Sequence, residues 1–158
     1  MRIQLVLGVA CLAAASAAQA QIEPHPQAIV VHANSLEWGP APASLPAGAR
    51  AAVIEGDPSK AGLFTMRLSL PAGYRIAPHH HPVWEHVTVL EGSFNVGMGE
   101  KVDASGDGVR LTAGSFGALP PGMRHYAWTT EPTVLQLHAE GPWRLVYVDP
   151  ADDPRSKK

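Results

Sequence analysis

Short apolar runs, interrupted every few residues by glycine or proline, dominate the chain beyond its first twenty residues. No amphipathic helix of convincing length is present among these runs. This pattern is typical of an all-β sandwich or barrel. The predicted strands are Ile29–His32, Arg50–Ile54, Leu63–Leu70, Glu85–Leu90, Phe94–Met98, Val109–Leu111, Ser115–Leu119, His125–Thr129, Thr133–Ala139 and Arg144–Val148.

Alternation within the strands predicts which side chains face the interior. If Glu85 faces inward, the residues two and four positions later do so too, because successive side chains of a strand point to opposite faces. The same rule applied to Leu63–Leu70 and Thr133–Ala139 predicts an apolar pocket. Its predicted lining is Phe64, Met66, Val87, Val89, Leu135 and Leu137. Because this lining contains no lysine or arginine, a sugar phosphate or a nucleotide is a poor candidate substrate.

Three aromatic side chains have the opposite alternation. Trp84, Tyr126 and Trp128 are predicted to lie on the outer face of the barrel. A contiguous exposed apolar patch usually marks a covering element or a partner. Two alternatives remain open at this point: the segment around Ile29–Trp38 packs over the aromatics, or they form a homodimer interface.

The first twenty residues are predicted to be a signal peptide. Arg2 supplies a positive start, Ile3–Ala15 an apolar stretch, and the small residues Ala18 and Ala20 flank Gln19 at a cleavage site. The apolar stretch is too short to span a bilayer comfortably. We therefore expect cleavage after Ala20, no membrane anchor afterwards, and a periplasmic or secreted protein exported by the general secretory route.

The remaining chain is predicted to form one domain without cysteine, since the single cysteine, Cys11, belongs to the signal peptide. Residues 21–49 are assigned to an N-terminal strand and a Pro/Ala-rich loop, 50–150 to a β-barrel, and 151–158 to a flexible tail. The formal net charge is −2, and basic residues cluster only in the tail. This balance disfavours nucleic acid as a partner.

Two segments contain candidate metal ligands. His79 and His81 are two residues apart and Glu85 follows four later, so all three project from one face if the chain is extended. His125 has to reach them from another strand. Three imidazoles and a carboxylate suit a first-row divalent ion and leave one or two coordination positions open. His80 has the opposite alternation, as does His86, and neither is expected at the site.

Both segments resemble sequence motifs of the cupin superfamily. The first resembles G-x5-H-x-H-x3-E-x6-G, with matches at Gly73, His79, His81, Glu85 and Gly92. The second resembles G-x5-P-x-G-x2-H-x3-N, with matches at Gly114, Pro120, Gly122 and His125. Thr129 stands where the family often has asparagine. The resemblance implies a conical double-stranded β-helix and favours a homodimer.

The expected cofactor is one divalent transition metal per chain, held by His79, His81, Glu85 and His125. Its identity stays open among Fe, Mn, Ni, Co, Cu and Zn. The first functional hypothesis is a metalloenzyme, an oxygenase or isomerase acting on a small, largely apolar molecule. In it Glu85 is either a fourth ligand or the general base. The alternative is a non-catalytic module that senses, stores or sequesters a small ligand or the metal.

Overall fold

The computed structural model describes residues 28–103 and 106–156. The predicted signal peptide and its cleavage site at Ala20 lie outside the described residues. Two antiparallel sheets form the fold, which confirms the all-β prediction. None of the helices in the described part of the chain combines the length and the apolar character needed to cross a membrane.

Most of the strands begin or end at or near a glycine or proline. In chain order they are β1 (Gly39–Pro40), β2 (Arg50–Glu55), β3 (Gly62–Leu70), β4 (Arg75–His80), β5 (Glu85–Glu91), β6 (Ser93–Met98), β7 (Val109–Thr112), β8 (Phe116–Leu119), β9 (His125–Trp128), β10 (Thr133–Gly141) and β11 (Val146–Tyr147). Short 3-10 helices cover Ala33–Ser35, Pro150–Asp152 and Pro154–Ser156. The six-stranded sheet has the order β1-β2-β3-β10-β5-β8, and the five-stranded sheet has the order β11-β4-β9-β6-β7.

The strand predictions differ from the structure at three places: near the N-terminus, at β4 and at β11. The predicted strand Ile29–His32 is wrong, because this segment forms no strand and leaves Ile29 62% exposed. The strand that pairs with the outer edge of β2 is β1, which lies within the segment predicted as a loop. Strand β4 was not predicted. The last predicted strand, Arg144–Val148, is shortened to β11.

The core lies between the inner faces of the two sheets. Along the centre of the six-stranded sheet, Leu137 of β10 lies opposite Met66 of β3 and Val87 of β5. All three side chains are buried. On the outer face, Arg67 Nε donates a hydrogen bond to Gln136 Oε1 at 3.2 Å. The alternation predicted for these strands therefore places the apolar residues inside and the polar residues outside.

One end of the barrel is closed by buried hydroxyl groups. Thr129 Oγ1 donates to the carbonyl oxygen of Pro71 at 2.6 Å and accepts from the backbone N–H of Tyr74 at 3.1 Å. Thr133 Oγ1 donates to the carbonyl oxygen of Ser93 at 2.9 Å. We call this the threonine end. Thr129, which departs from the family's asparagine, thus ties the turn before β4 to the end of β9.

The predicted outer patch of three aromatics is not formed. Trp84 is 50% exposed and stacks beside His86 on the six-stranded sheet. Tyr126 is only 3% exposed on the five-stranded sheet, where it stacks on Trp128 and its hydroxyl accepts from the backbone N–H of Asp103. The aromatics are thus divided between two sheets, and the loop after β6 covers Tyr126.

The N-terminal segment packs elsewhere. Leu36 and Trp38 line a groove on the outer side of the six-stranded sheet, together with Arg67 and Val134. This segment therefore covers neither Tyr126 nor Trp128, and the homodimer stays a prediction.

The C-terminal stretch contains two 3-10 helices, Pro150–Asp152 and Pro154–Ser156. Arg155 forms an ion pair with Asp153 at 2.6 Å. The same guanidinium donates to the carbonyl oxygen of Leu145 at 3.3 Å. These contacts hold the last two 3-10 helices against the connection that leads into β11.

Candidate metal centre

The four predicted ligands come together at the end of the barrel opposite the threonine end. His79 lies in β4 and pairs in register with His125, the first residue of β9. His81 follows β4 directly. Glu85 begins β5, in the other sheet. We call this the histidine end.

The route of the chain to Glu85 differs from the extended chain that the sequence suggested. A bend at Pro82 and Val83 carries the backbone from the five-stranded to the six-stranded sheet. Glu85 therefore approaches the imidazoles from the facing sheet instead of following them along one strand. The alternation rule selected residues that the structure brings together, but they meet because the chain crosses from one sheet to the other.

All four side chains are buried, and their polar atoms are close. His79, His81 and His125 are 2–3% exposed and Glu85 is 7% exposed. Glu85 Oε2 lies 3.4 Å from His81 Nε2 and 3.5 Å from His125 Nε2. One ligand nitrogen from each histidine lies within 4.8 Å of the others. Among residues 28–103 and 106–156, this is the one such group of three or more histidine, cysteine or acidic residues.

Backbone carbonyl groups fix the orientation of every imidazole. The Nδ1 atoms contact carbonyl oxygens at 2.7–3.0 Å: His79 with Ala77, His81 with Arg144, and His125 with Met123. A carbonyl oxygen only accepts hydrogen bonds, so each Nδ1 carries a proton, and in the neutral imidazole Nε2 then keeps its lone pair. His81 Nε2 is buried without a hydrogen-bond partner. This is the arrangement of metal-binding imidazoles, whose second nitrogen is held by a carbonyl or carboxylate.

Burial sets the charges at this end of the barrel. Burial lowers the pKa of His79 to about 3, and repulsion from His125 and His81 adds to the effect. Burial likewise lowers the pKa of His81. For Glu85, burial works to raise the pKa, but the adjacent imidazoles outweigh it and hold the pKa below its ordinary value. At neutral pH His79 and His81 are thus uncharged and Glu85 is a carboxylate, and neutral imidazole and carboxylate are donors that a divalent transition metal requires.

A small cavity leads from these ligands into the barrel. Its volume is ≈ 30 Å³, which is room for about two waters. Of the predicted pocket residues, Val87, Leu135 and Leu137 line it. The others, Phe64, Met66 and Val89, are 0% exposed and belong to the packed core instead. Alternation finds inward-facing residues, but it does not tell which of them border empty space.

Trp143 is a cavity residue that the sequence did not reveal. It lies between β10 and β11, where no strand alternation applies. Its ring stacks on His81 with a centroid distance of 5.0 Å and an interplanar angle of 18°. The side chain lines the cavity, and its Nε1 atom is buried without a hydrogen-bond partner.

His80, His86 and His138, in the described part of the chain, do not belong to this group of ligands. His80 and His86 are half-buried, and His86 stacks between Trp84 and Phe116 on the outer face. His138 is exposed and bonds to Thr65 through Nδ1 at 2.9 Å. Their placement agrees with their opposite alternation.

A family model described as the ChrR cupin-like domain matches residues 26–144 of this chain. The chain belongs to this cupin family. The match covers most of the chain, including all four candidate ligands, and it confirms the cupin resemblance. No curated protein matches the chain in sequence.

Solved structures share the cupin fold at low sequence identity. The polyketide cyclase RemF from Streptomyces resistomycificus is 16% identical, with a TM-score of 0.65 over 81% of this chain and 90% of that chain. A candidate acetylacetone dioxygenase from Methylibium petroleiphilum PM1 is 23% identical, with a TM-score of 0.62 over 85% and 90%. These similarities establish the fold and not a shared reaction.

A third match is to a chain in the complex of Rhodobacter sphaeroides SigE with the anti-sigma ChrR. It is 18% identical, with a TM-score of 0.51 over 69% of this cupin. The match spans about half of that longer chain, at 52%. The fold is thus found both in enzymes and in a regulatory complex.

Proposed function

We propose that this cupin binds one divalent transition metal through His79, His81, His125 and Glu85 and presents it to a small ligand in the barrel. One observation carries the proposal. Each imidazole is fixed through Nδ1 on a backbone carbonyl, which leaves three Nε2 lone pairs beside a buried carboxylate. Neutral imidazoles and one carboxylate fit Fe, Mn, Ni, Co, Cu or Zn.

Metal content of purified protein tests this proposal. Elemental analysis should find about one transition metal ion per chain, and His81→Ala should abolish or greatly weaken binding. His80→Ala is the matched control, because this neighbouring histidine is absent from the group of clustered ligands. Full metal content in the His81 variant would show that the ligands are wrongly assigned.

We propose further that the centre is catalytic, of oxygenase or isomerase class. In an ion that takes five or six ligands, four protein ligands leave one or two positions open for a substrate, as catalysis requires and a closed structural site does not provide. When bound, the metal supplies Lewis acidity or, for a redox-active ion, electron transfer to oxygen. The chain supplies an apolar enclosure around the centre and a carboxylate, Glu85, which would serve as the general base when it is not bound to the metal.

Oxygen uptake tests the catalytic proposal. Protein loaded with Fe, Mn, Ni, Co or Cu should consume oxygen with an enolic, diketone or phenolic compound, and the zinc form should not, since zinc has no redox chemistry. Glu85→Gln should reduce turnover more than ligand affinity, because its proposed role is proton transfer. Isomerase activity would be followed instead by substrate conversion without oxygen uptake.

A non-catalytic sensing or binding module is the second candidate. The small cavity favours it, because the space beside the ligands has room for only about two waters. Among the residues that line the cavity, Glu85 is the only acid, so no second acid–base pair is available there. Tight ligand binding without turnover in every metal form would decide for this candidate.

We also propose that the protein acts outside the cytoplasm, on the basis of the apolar stretch and the small residues before Gln21. Mass spectrometry of protein isolated from the periplasm should identify Gln21 as the first residue. Soluble protein that still carries Met1 would contradict export.

A further inference from the structure

An unpaired hydrogen-bond donor borders the proposed metal centre. Trp143 lines the cavity and stacks on His81, yet its indole Nε1–H is buried without an acceptor. Buried tryptophan N–H groups usually have a partner, since an unsatisfied buried donor costs about 1–3 kcal/mol. At a cavity wall, that partner can be a molecule that enters the cavity. The position therefore calls for a ligand that accepts a hydrogen bond.

The charge of the centre indicates which kind of acceptor fits. As metal ligands, the imidazoles are neutral and the carboxylate of Glu85 contributes one negative charge. With a divalent ion the buried centre carries a net charge of about +1. An uncompensated charge in an apolar enclosure is costly. A single negative charge on the ligand removes this cost.

We propose that the cavity binds a small monoanionic oxygen ligand of the carboxylate type and that Trp143 Nε1 donates a hydrogen bond to one of its oxygen atoms. This inference rests on the proposed metal site. It makes Trp143 a positioning residue, which orients the ligand without touching the metal. The cavity volume of ≈ 30 Å³ limits the bound group to a few non-hydrogen atoms. A larger substrate would have to present its carboxylate or enolate end here.

The test uses Co²⁺-loaded protein and acetate as the probe. Visible absorption of Co²⁺ reports ligand binding without any turnover. Acetate should bind Trp143→Phe about tenfold more weakly than the unaltered protein, the loss typical of one hydrogen bond to a charged acceptor. Acetamide, which has the same shape but no charge, should bind the unaltered protein at least about tenfold more weakly than acetate.

Trp84→Phe is the matched control, because Trp84 is 50% exposed on the outer face and does not line the cavity. Its acetate affinity should equal that of the unaltered protein. The Co²⁺ content should be the same in all three proteins, because neither tryptophan belongs to the proposed ligands.

The outcomes separate the two proposals. If the unaltered protein binds no Co²⁺, the metal site itself is refuted. If Co²⁺ binds and acetate affinity is unchanged in Trp143→Phe, the hydrogen bond is refuted while the metal site stands. Circular dichroism checks that the variant folds. If it does not, replacing Trp143 with 3-benzothienylalanine keeps the ring shape, removes the N–H, and should give the same tenfold loss.

Discussion

Each imidazole at the histidine end is oriented by the main chain and not by another side chain. His79 and His125 use carbonyl groups two residues earlier in their own segments. His81 instead uses the carbonyl of Arg144, which lies 63 positions further along the chain. Because the acceptors are backbone atoms, no side-chain substitution removes them directly. The orientation of His81, however, depends on how the connection between β10 and β11 is folded.

The lowered pKa of His79 predicts how the metal-free protein responds to acid. Between pH 6.5, the ordinary pKa, and about 3, the unfolded chain binds a proton at this histidine and the folded chain does not. Folding stability should therefore fall as the pH drops below about 6.5, by up to about 1.4 kcal/mol per pH unit. His81 shifts in the same direction and adds to the slope. Urea denaturation in the presence of a chelator, at about pH 7 and about pH 5.5, measures the effect.

Two variants test whether this pH dependence of folding stability comes from the buried histidines. His79→Gln should make stability less dependent on pH, because the buried group no longer titrates. His138→Gln, at an exposed position, is the control substitution measured beside it. Stability that is equal at the two pH values in the unaltered protein would contradict the expected burial of neutral imidazoles.

At the scale of elements, the pairing of β6 with β9, the strand that begins with His125, requires a glycine in β6. Gly97 lies opposite Tyr126 in the register, and a Cβ atom at Gly97 would overlap the Tyr126 ring. Gly97→Ala should destabilise the protein by about 1–3 kcal/mol through overpacking. It should also weaken metal binding, because Tyr126 directly follows His125. Chemical denaturation and a metal titration measure the two effects.

Gly39→Ala provides the comparison for this variant. Gly39 also lies in a strand, but no heavy atom is within 4 Å of the position its Cβ would take. This change should alter neither stability nor metal affinity appreciably. Equal behaviour of the two alanine variants would mean that the contact between β6 and β9 does not support the centre.

The same elements show what the sequence can predict. Alternation held within strands, so Val87 and Leu137 were placed correctly in the interior. It did not predict that the chain changes sheet at Pro82, so that Glu85 reaches the imidazoles from the facing sheet. Tyr126 was expected to be exposed, but a loop distant in sequence covers it. Trp143 gave no signal, because its place at the cavity depends on a connection without periodicity.

For the whole molecule, bound metal should contribute to stability. If the ion binds only the folded chain, it raises the melting temperature, and a chelator lowers it. Glu85→Gln keeps the shape of the side chain and removes its charge, so it should reduce the increase that metal produces. Calorimetry with and without chelator measures both. Identical melting in the two conditions would show that the site is empty or contributes nothing to folding.

The two ends of the barrel are held together in different ways, so they should differ in how readily they open by local fluctuation. At the threonine end, Thr129 and Thr133 close the barrel with hydrogen bonds between groups of the chain itself. At the histidine end, an ion supplied by the surroundings would join Glu85 of one sheet to three imidazoles on the facing sheet. Without it, the ends of β4, β5 and β9 should fluctuate first while the opposite end stays closed. Amide hydrogen exchange would then be metal-dependent at only one end, through which ligands could enter without global unfolding.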